Sequence, residues 1–595
     1  MISVKCRLMQ ISVAANVGLV GISGLAGLIG AGTAVAATPS PPPPPDAGTL
    51  LNTVKPIQQQ PEKPPENMIT VPEQPRPAMH ENSALKIVVN RVVFSGVHAF
   101  PESVLQGLVA DKIGKELNFA ELSDMAGLIT KYYRDHGYIV ARAYLPEQPI
   151  ANNTIEIAVL EGKLGKVIPH YKSPGPKISD ELLTSFVTDQ IPPGGTLETS
   201  KLERILLLEN ELPNVKAVAT MVPGASVGTS DLVLEATQKG WFANDTVDAD
   251  NFGSRYSGTG RYGGSANISS PAGLGDVFSV RGLTSFQGFD YGRVSWSVPA
   301  GGSGLKLGLA DSYSDYRLGG PFESAGLKGN TNDVSLFAVY PYIRSRFFNV
   351  YQTVDVDDKR LYNTSNAGEI SDQHIQEIAL GIHGDDYDSW LGGGLSTFSF
   401  TYTYGNLDLS ANAADAASDQ ATARTAGDYQ KLLVQLVRQQ FLTDNLIAYG
   451  SLTDQVSNKN MSSSESLAMG GPTSVRAYPV GEAPADEGLL ATVELRYNSF
   501  APHDLGSLQY QLFYDYGRVQ LHNTTWATFQ AAGIPNTYTL AGVGVGMNLY
   551  KENAYLVSAS VATKVGNNPN PGQNGTDADG LKSSTRFWLQ ATIYW

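Results

Sequence analysis

A lone arginine, Arg476, sits in GGPTSVRAYPVGEAPADEG (residues 470–488), where glycine, proline and acidic residues break any helix or strand period. Gly470 and Gly471 open the stretch, and Val475, Ala477 and Tyr478 flank the guanidinium. The chemistry open to such a group is ion pairing. Held away from water, a guanidinium requires a carboxylate, best through two parallel hydrogen bonds. On a solvated loop the same arginine contributes little. These residues alone leave both readings open. One carboxylate stands out in LQYQLFYDYG (508–517), where alternation sets Gln509, Gln511, Phe513, Asp515 and Gly517 on one face. Leu508, Tyr510, Leu512, Tyr514 and Tyr516 fall on the other.

Other chemistry finds no constellation. GTGRYG (258–263) satisfies G-x-G-x-x-G, but no helix pattern follows, so it does not read as a dinucleotide site. VDADNFG (247–253) and DVDDKR (355–360) place acids in what read as solvated turns. The eight histidines lack H-E-x-x-H or similar spacing, and G-x-S-x-G is absent. No catalytic residue, metal site or cofactor is expected, and the chain does not read as an enzyme. A net charge of −15 argues against nucleic acid as a partner. The single cysteine, Cys6, falls in a segment expected to be removed.

That segment, residues 1–36, reads as a signal peptide. Lys5 and Arg7 precede an apolar run over 11–31, and Ala34-Val35-Ala36 supplies a small-x-small cleavage pattern. Residues 37–83 form a proline-rich linker in which DAGTLLNTVK (46–55) can make a short helix capped by Asp46 and ended by Pro56. From residue 84 the pattern becomes strand, helix, helix, strand, strand. It opens with LKIVVNRVVFSG and closes with NTIEIAVLEGKLGKV, and it recurs more loosely to residue 239. The two β-α-α-β-β units span 84–164 and 165–239.

Residues 240–595 alternate in polarity over about sixteen segments near ten residues each. In RFWLQATIYW (586–595), Phe587, Leu589, Ala591, Ile593 and Trp595 oppose Arg586, Trp588, Gln590, Thr592 and Tyr594. In LLATVELRYN (489–498), Leu489, Ala491, Val493, Leu495 and Tyr497 oppose Thr492, Glu494, Arg496 and Asn498. Such strands, with one apolar and one wet face, predict an antiparallel membrane β-barrel with a polar lumen. GVGVGMNL (542–549) turns Gly542, Gly544 and Gly546 inward, which clears side chains from that part of the wall.

Two β-α-α-β-β repeats ahead of a barrel, with FSGVHAF, YYRDHGYIVARAYLP and DADNFGSRYSGTGRY, resemble the two-partner secretion transporters. These are the haemolysin secretion-activation type of the outer-membrane protein 85 superfamily, and their repeats are POTRA domains. The resemblance implies that the loop after the eleventh strand folds back into the lumen, carrying a Val-Arg-Gly-Tyr motif. VRAY (475–478) matches it, with Ala477 in place of glycine. Were φ positive at that position, alanine would be disfavoured and the loop tip would have to differ. FYDYG matches the family's Phe-x-Asp wall motif and makes Asp515 the partner of Arg476, a latch pinning the loop inside the pore.

The resemblance also implies a bacterial outer-membrane location with the repeats in the periplasm. The partner is one large secreted exoprotein of adhesin, haemolysin or haem-binding type, captured unfolded and threaded through the barrel, and the outer surface meets outer-membrane lipid. The helix at 46–55 corresponds to a plug in that family. The alternative is a barrel-assembly or insertion factor of the same superfamily, which normally carries three or more repeats. A diffusion porin has no use for tandem repeats, and a receptor or adhesin places its bulk in external loops.

Overall fold

A computed structural model describes residues 44–54, 68–71, 86–501 and 505–595. The expected signal segment and most of the linker, including Pro56, lie outside the described residues.

The first α+β unit pairs strand Arg91–Ser95 in parallel with Thr154–Leu160, and Arg142–Tyr144 adds antiparallel on the other side. Helix Phe119–Asp135 starts at a capping box in which Asn118 and Glu121 exchange side-chain and backbone hydrogen bonds. It ends just before Gly137, whose φ of +92° turns the chain back to the sheet. Its apolar stripe of Leu122, Met125, Ile129 and Tyr133 packs on Val92, Ile155 and Ile157. The second unit repeats the plan with Lys163–Lys172, helices Asp180–Thr188 and Thr199–Asn210, then Val215–Pro223 and Thr229–Gln238. Its sheet carries one extra strand. Linker residues Ile69–Thr70 lie parallel to Val215–Pro223, with Ile69 opposite Ala219.

Sixteen antiparallel strands close a barrel from Thr246–Asp250 to Thr585–Tyr594, the closing pairs running from Thr246↔Tyr594 to Asp250↔Gln590. Alternation decides the two faces. Val493, Leu495, Tyr510, Leu512, Tyr514, Val543, Val545, Phe587, Leu589 and Ile593 are exposed on the outside, while Glu494, Arg496, Phe513 and Asp515 are buried within. Two acidic stretches mislead. Asp248 and Asp250 of VDADNFG lie not in a solvated turn but on the first strand, Thr246–Asp250, paired with Arg281 and Arg261. The acids of DVDDKR lie not in a turn but inside the seventh strand, Phe348–Ser365, where Asp355 and Asp357 share the lumenal face and Asp358 meets His374 across the strand pair at 2.9 Å. Val354 and Val356 alternate with them on the outer face, but the density of acids resembles a solvated turn and masks the strand. Strands six to eight also exceed the ten-residue expectation, at 17, 18 and 21 residues.

Candidate functional site

The loop that follows the eleventh strand, Leu446–Ser457, turns into the lumen before the twelfth, Glu487–Phe500, begins. A small hairpin, Leu467–Met469 with Ala483–Ala485, forms its stem and pairs with no wall strand. At the head of the stem Gly470 and Gly471 have φ of +89° and +102°, and a Cβ at 470 would fall 2.3 Å from the carbonyl oxygen of Pro479. Only glycine fits there. The tip closes on itself, with Gly471 N donating to Tyr478 O (3.0 Å) and Tyr478 N to Val475 O (3.0 Å).

Arg476 projects from this tip onto the wall. Its Nε donates to Asp515 Oδ2 (2.8 Å) and its Nη2 to Asp515 Oδ1 (2.7 Å), while its own backbone N–H also reaches Oδ2 (3.1 Å). Nη2 meets Glu494 Oε1 at 2.8 Å, and the guanidinium lies 3.3 Å above the centre of the Phe513 ring. Thr492 Oγ1 donates a further bond to Asp515 (3.0 Å). Asp515 is 0% exposed and Arg476 8%, so this is a buried, bidentate pair. Strand register assembles it. Thr492, Asp515 and Gly542 lie directly opposite one another on strands twelve to fourteen, and Glu494, Phe513 and Gly544 form the adjacent row.

The inward glycines divide the work. A Cβ on Gly542 would stand 2.6 Å from that of Ala477, so this glycine admits the loop tip; Gly544 instead makes room for the Phe513 ring beneath Arg476, and Gly546 faces Gln511. Ala477 is fully buried and is not among the residues with positive φ, so the alanine sits in ordinary backbone. Val475 and Tyr478 are buried beside it.

Three partners were not assigned from sequence. Glu494 and Thr492 stand on the polar face that alternation identifies, but their meeting with Arg476 depends on register. Trp588, on the closing strand, donates from Nε1 to the carbonyl of Arg476 (2.8 Å). Glu482, on the loop outside the spanning strands, accepts from Ala578 N (2.8 Å) and Asn568 Nδ2 (2.5 Å). Burial pushes its carboxyl up to about 7, with Asp577 adding to the rise.

The helix Ala47–Leu51 lies in the lumen beside this loop. Asp46 caps it, accepting from Thr49 N (2.8 Å). Ala47 and Leu50 are buried against Tyr316, Leu361 and Leu407 of the wall, and Ala47 N donates to Asn363 Oδ1 (3.1 Å). Arg261, paired through two bonds with Asp250, donates to Thr53 O (2.9 Å). Among the described residues no group of three or more His, Cys, Asp or Glu is placed to hold a metal ion.

A sixteen-stranded barrel with an arginine-bearing loop folded into its lumen, preceded by two α+β repeats, defines an outer-membrane polypeptide transporter. Residues 228–549, more than half of the chain, match the family described as haemolysin secretion/activation protein ShlB/FhaC/HecB, and residues 87–162 match a POTRA domain of ShlB type. The chain belongs to this family, and it is a two-partner secretion transporter of the outer membrane with its POTRA domains in the periplasm. It is similar to the heme/hemopexin transporter protein HuxB of Haemophilus influenzae, 27% identical over 82% of this chain and 83% of the relative. It is similar also to the outer membrane transporter CdiB of Dickeya dadantii, 24% identical over 70% and 73%. The solved structure of CdiB from Escherichia coli shares the fold with a TM-score of 0.67 at 19% identity, over 88% of this chain and 93% of that one.

Proposed function

We propose that this transporter exports a single large exoprotein, captured unfolded by its two periplasmic units and threaded through a lumen that the loop 470–488 and the segment 46–54 close at rest. The observation that carries this reading is how the lumen is filled. The loop's hairpin pairs only with itself, so side-chain contacts, chiefly Arg476–Asp515, hold it to the wall. Such a closure can leave without unzipping any barrel strand. Arg476 and Asp515 are in this reading a latch. Gly470, Gly471, Val475, Ala477 and Tyr478 shape the tip that presents the arginine.

Capture rests on strand addition, in which backbone hydrogen bonds hold an extended chain with little demand on its sequence. The edge strand Val215–Pro223 already accepts an added strand, residues Ile69–Thr70 of the linker. An arriving unfolded chain competes for this edge. The outer membrane offers no ATP, so folding of the cargo outside supplies the drive. The similarity to a heme/hemopexin transporter makes a haem-binding exoprotein a natural cargo, alongside adhesins and haemolysins. Lipid meets the apolar outer belt, and neither nucleic acid nor catalysis has a part in this mechanism.

Deleting the gene and comparing culture supernatant with outer membrane by quantitative mass spectrometry tests the proposal. One or two large proteins should vanish from the supernatant while other barrels keep their levels. A general loss of outer-membrane barrels would make the chain an assembly factor instead.

A further inference from the structure

The inward loop carries a second buried charge site upstream of Arg476. Glu465 is 2% exposed and ends the turn Ser463–Glu465, just ahead of the hairpin stem. Its Oε2 lies 2.5 Å from Lys431 Nζ and its Oε1 3.3 Å from Lys359 Nζ. Lys359 also pairs with Glu377, which accepts from Tyr429 OH at 2.5 Å. Gln455 Nε2 donates to the backbone carbonyls of Glu465 (3.0 Å) and Asp486 (3.1 Å). One short turn is thereby tied to strands seven, ten and eleven, and through Lys359 to Glu377 on strand eight. Removing its carboxylate would leave Lys359 with Glu377 and take from Lys431 the carboxylate it meets at 2.5 Å, and a buried charge that loses its partner is costly.

The same turn is what the lumenal helix rests on. Ser463 Oγ donates to Asp46 Oδ2 (2.7 Å) at the start of the helix, and Asn52 Nδ2 at its end donates to the carbonyls of Ser463 (2.9 Å) and Ser466 (3.4 Å). Between them Gly48 lies so close that a Cβ would stand 2.5 Å from Ser464 N. Both ends and the middle of the helix thus contact one turn, and the wall adds Asn363 and Arg261.

We infer that Glu465 is a positioning residue that seats the plug: it fixes the turn Ser463–Glu465 on the wall, and the turn holds the helix Ala47–Leu51 in the lumen. This rests on the reading of that helix as a closure. Loop and plug are then coupled, and by linkage whatever loosens the base of the loop loosens the plug. The latch at Arg476 and the seat at Glu465 are separate fixings of one loop. Opening the latch alone leaves the plug in place.

The test is the accessibility of residue 50, which is 3% exposed when the helix is seated. Leu50→Cys in a Cys6→Ser background is labelled with a membrane-impermeant maleimide in purified, detergent-folded transporter. Adding Glu465→Gln should raise the labelling rate by about tenfold, the shift expected when a well-populated closed state loses its main anchor. Gly48→Leu should raise it similarly from the plug side, while Arg476→Ala should leave it low. If Glu465→Gln does not assemble, Lys431→Met, which removes one of the two cations from the wall side, serves in its place. Continued protection in Glu465→Gln or Lys431→Met, with Gly48→Leu labelled, would show that the wall seats the helix and would overturn the inference. Equal labelling in Arg476→Ala would overturn it too. Bilayer conductance after deletion of residues 44–54 judges the closure reading separately. No rise there would remove the plug function while the labelling still decides what seats the helix.

Discussion

Trp588, on the strand that closes the barrel, donates its indole N–H to the carbonyl oxygen of Arg476 at 2.8 Å. The residue whose side chain binds strand thirteen is therefore bound through its backbone to strand sixteen. The loop tip thus lies along one arc of the wall, tied from strand thirteen to strand sixteen across Gly542 of strand fourteen. Trp588→Phe keeps an aromatic ring, though a smaller one, and loses the donor, leaving a buried carbonyl without this bond at a cost of about 1–3 kcal/mol. The folded barrel should lose heat resistance on a semi-native gel, and export should fall less than in Arg476→Ala. An unchanged melting midpoint would mean that the contact does not hold the loop.

Space, rather than charge, is the issue at Gly542. A Cβ there would overlap that of Ala477, and overpacking of this kind costs about 1–3 kcal/mol. Gly542→Val should displace the loop tip and expose residues 470–488 to added protease. Gly546→Val, whose Cβ would meet the end of Gln511 at 3.0 Å and Ala559 O and Ser560 Cβ at 3.4 Å but no loop residue, should leave the loop protected.

The tie between Glu482 and the loop before the last strand should depend on pH. The carboxyl of Glu482 rises from 4.5 to about 7, burial being the main cause, with Asp577 raising it and Lys564, Asn568 and the Ala578 N–H opposing. Tyr478 and Tyr538 also face it. A folded-state value above the unfolded one means that the folded chain holds the extra proton between the two. Stability from this group is therefore greatest below about pH 4.5 and declines as pH rises toward 7, then stays level. Protease nicking of the loop should increase from pH 5 to pH 7.5, and Glu482→Gln should flatten the profile.

At the periplasmic units, Ile69→Asp places a charge where Ile69 packs against the core of the second unit. The linker strand should leave the edge of Val215–Pro223. The intact transporter should then bind an unfolded exoprotein fragment more tightly in a titration at equilibrium. Weaker binding would mean that the linker strand helps to build the capture site rather than competing for it.

Much of this architecture was legible because two solvents leave two polarities on one strand. Phe587, Leu589 and Ile593 against Trp588 and Thr592 suffice to mark the last wall strand, and Asp515 falls on the inner face by the same count. The helix at Ala47–Leu51 was legible from Asp46 as a cap. The partners of Arg476 were less so. Alternation puts Glu494, Thr492 and Trp588 on the inner face but says nothing of register, and register decides which of them meet the guanidinium. Asp355 and Asp357 read as turn residues because a run of acids resembles a solvated turn, although Val354 and Val356 alternate with them on the outer face. Glu465 gave no signal at all, since its two lysines lie on strands distant in sequence. Ala477 looked costly only so long as the position was thought to need a positive φ. What the neighbouring wall requires is a small side chain opposite Gly542.

The latch is tested most directly by measuring exported cargo against assembled barrel for Arg476→Ala, Asp515→Ala and the reversed pair, Arg476→Asp with Asp515→Arg. Arg476→Ala strands the buried carboxylate of Asp515, with a local cost of about 3–5 kcal/mol, and Asp515→Ala takes the bidentate partner from Arg476 and leaves it Glu494, so each should cut export while the barrel still reaches the outer membrane. The reversed pair should recover part of it. Full secretion by both single variants would contradict a latch between Arg476 and Asp515.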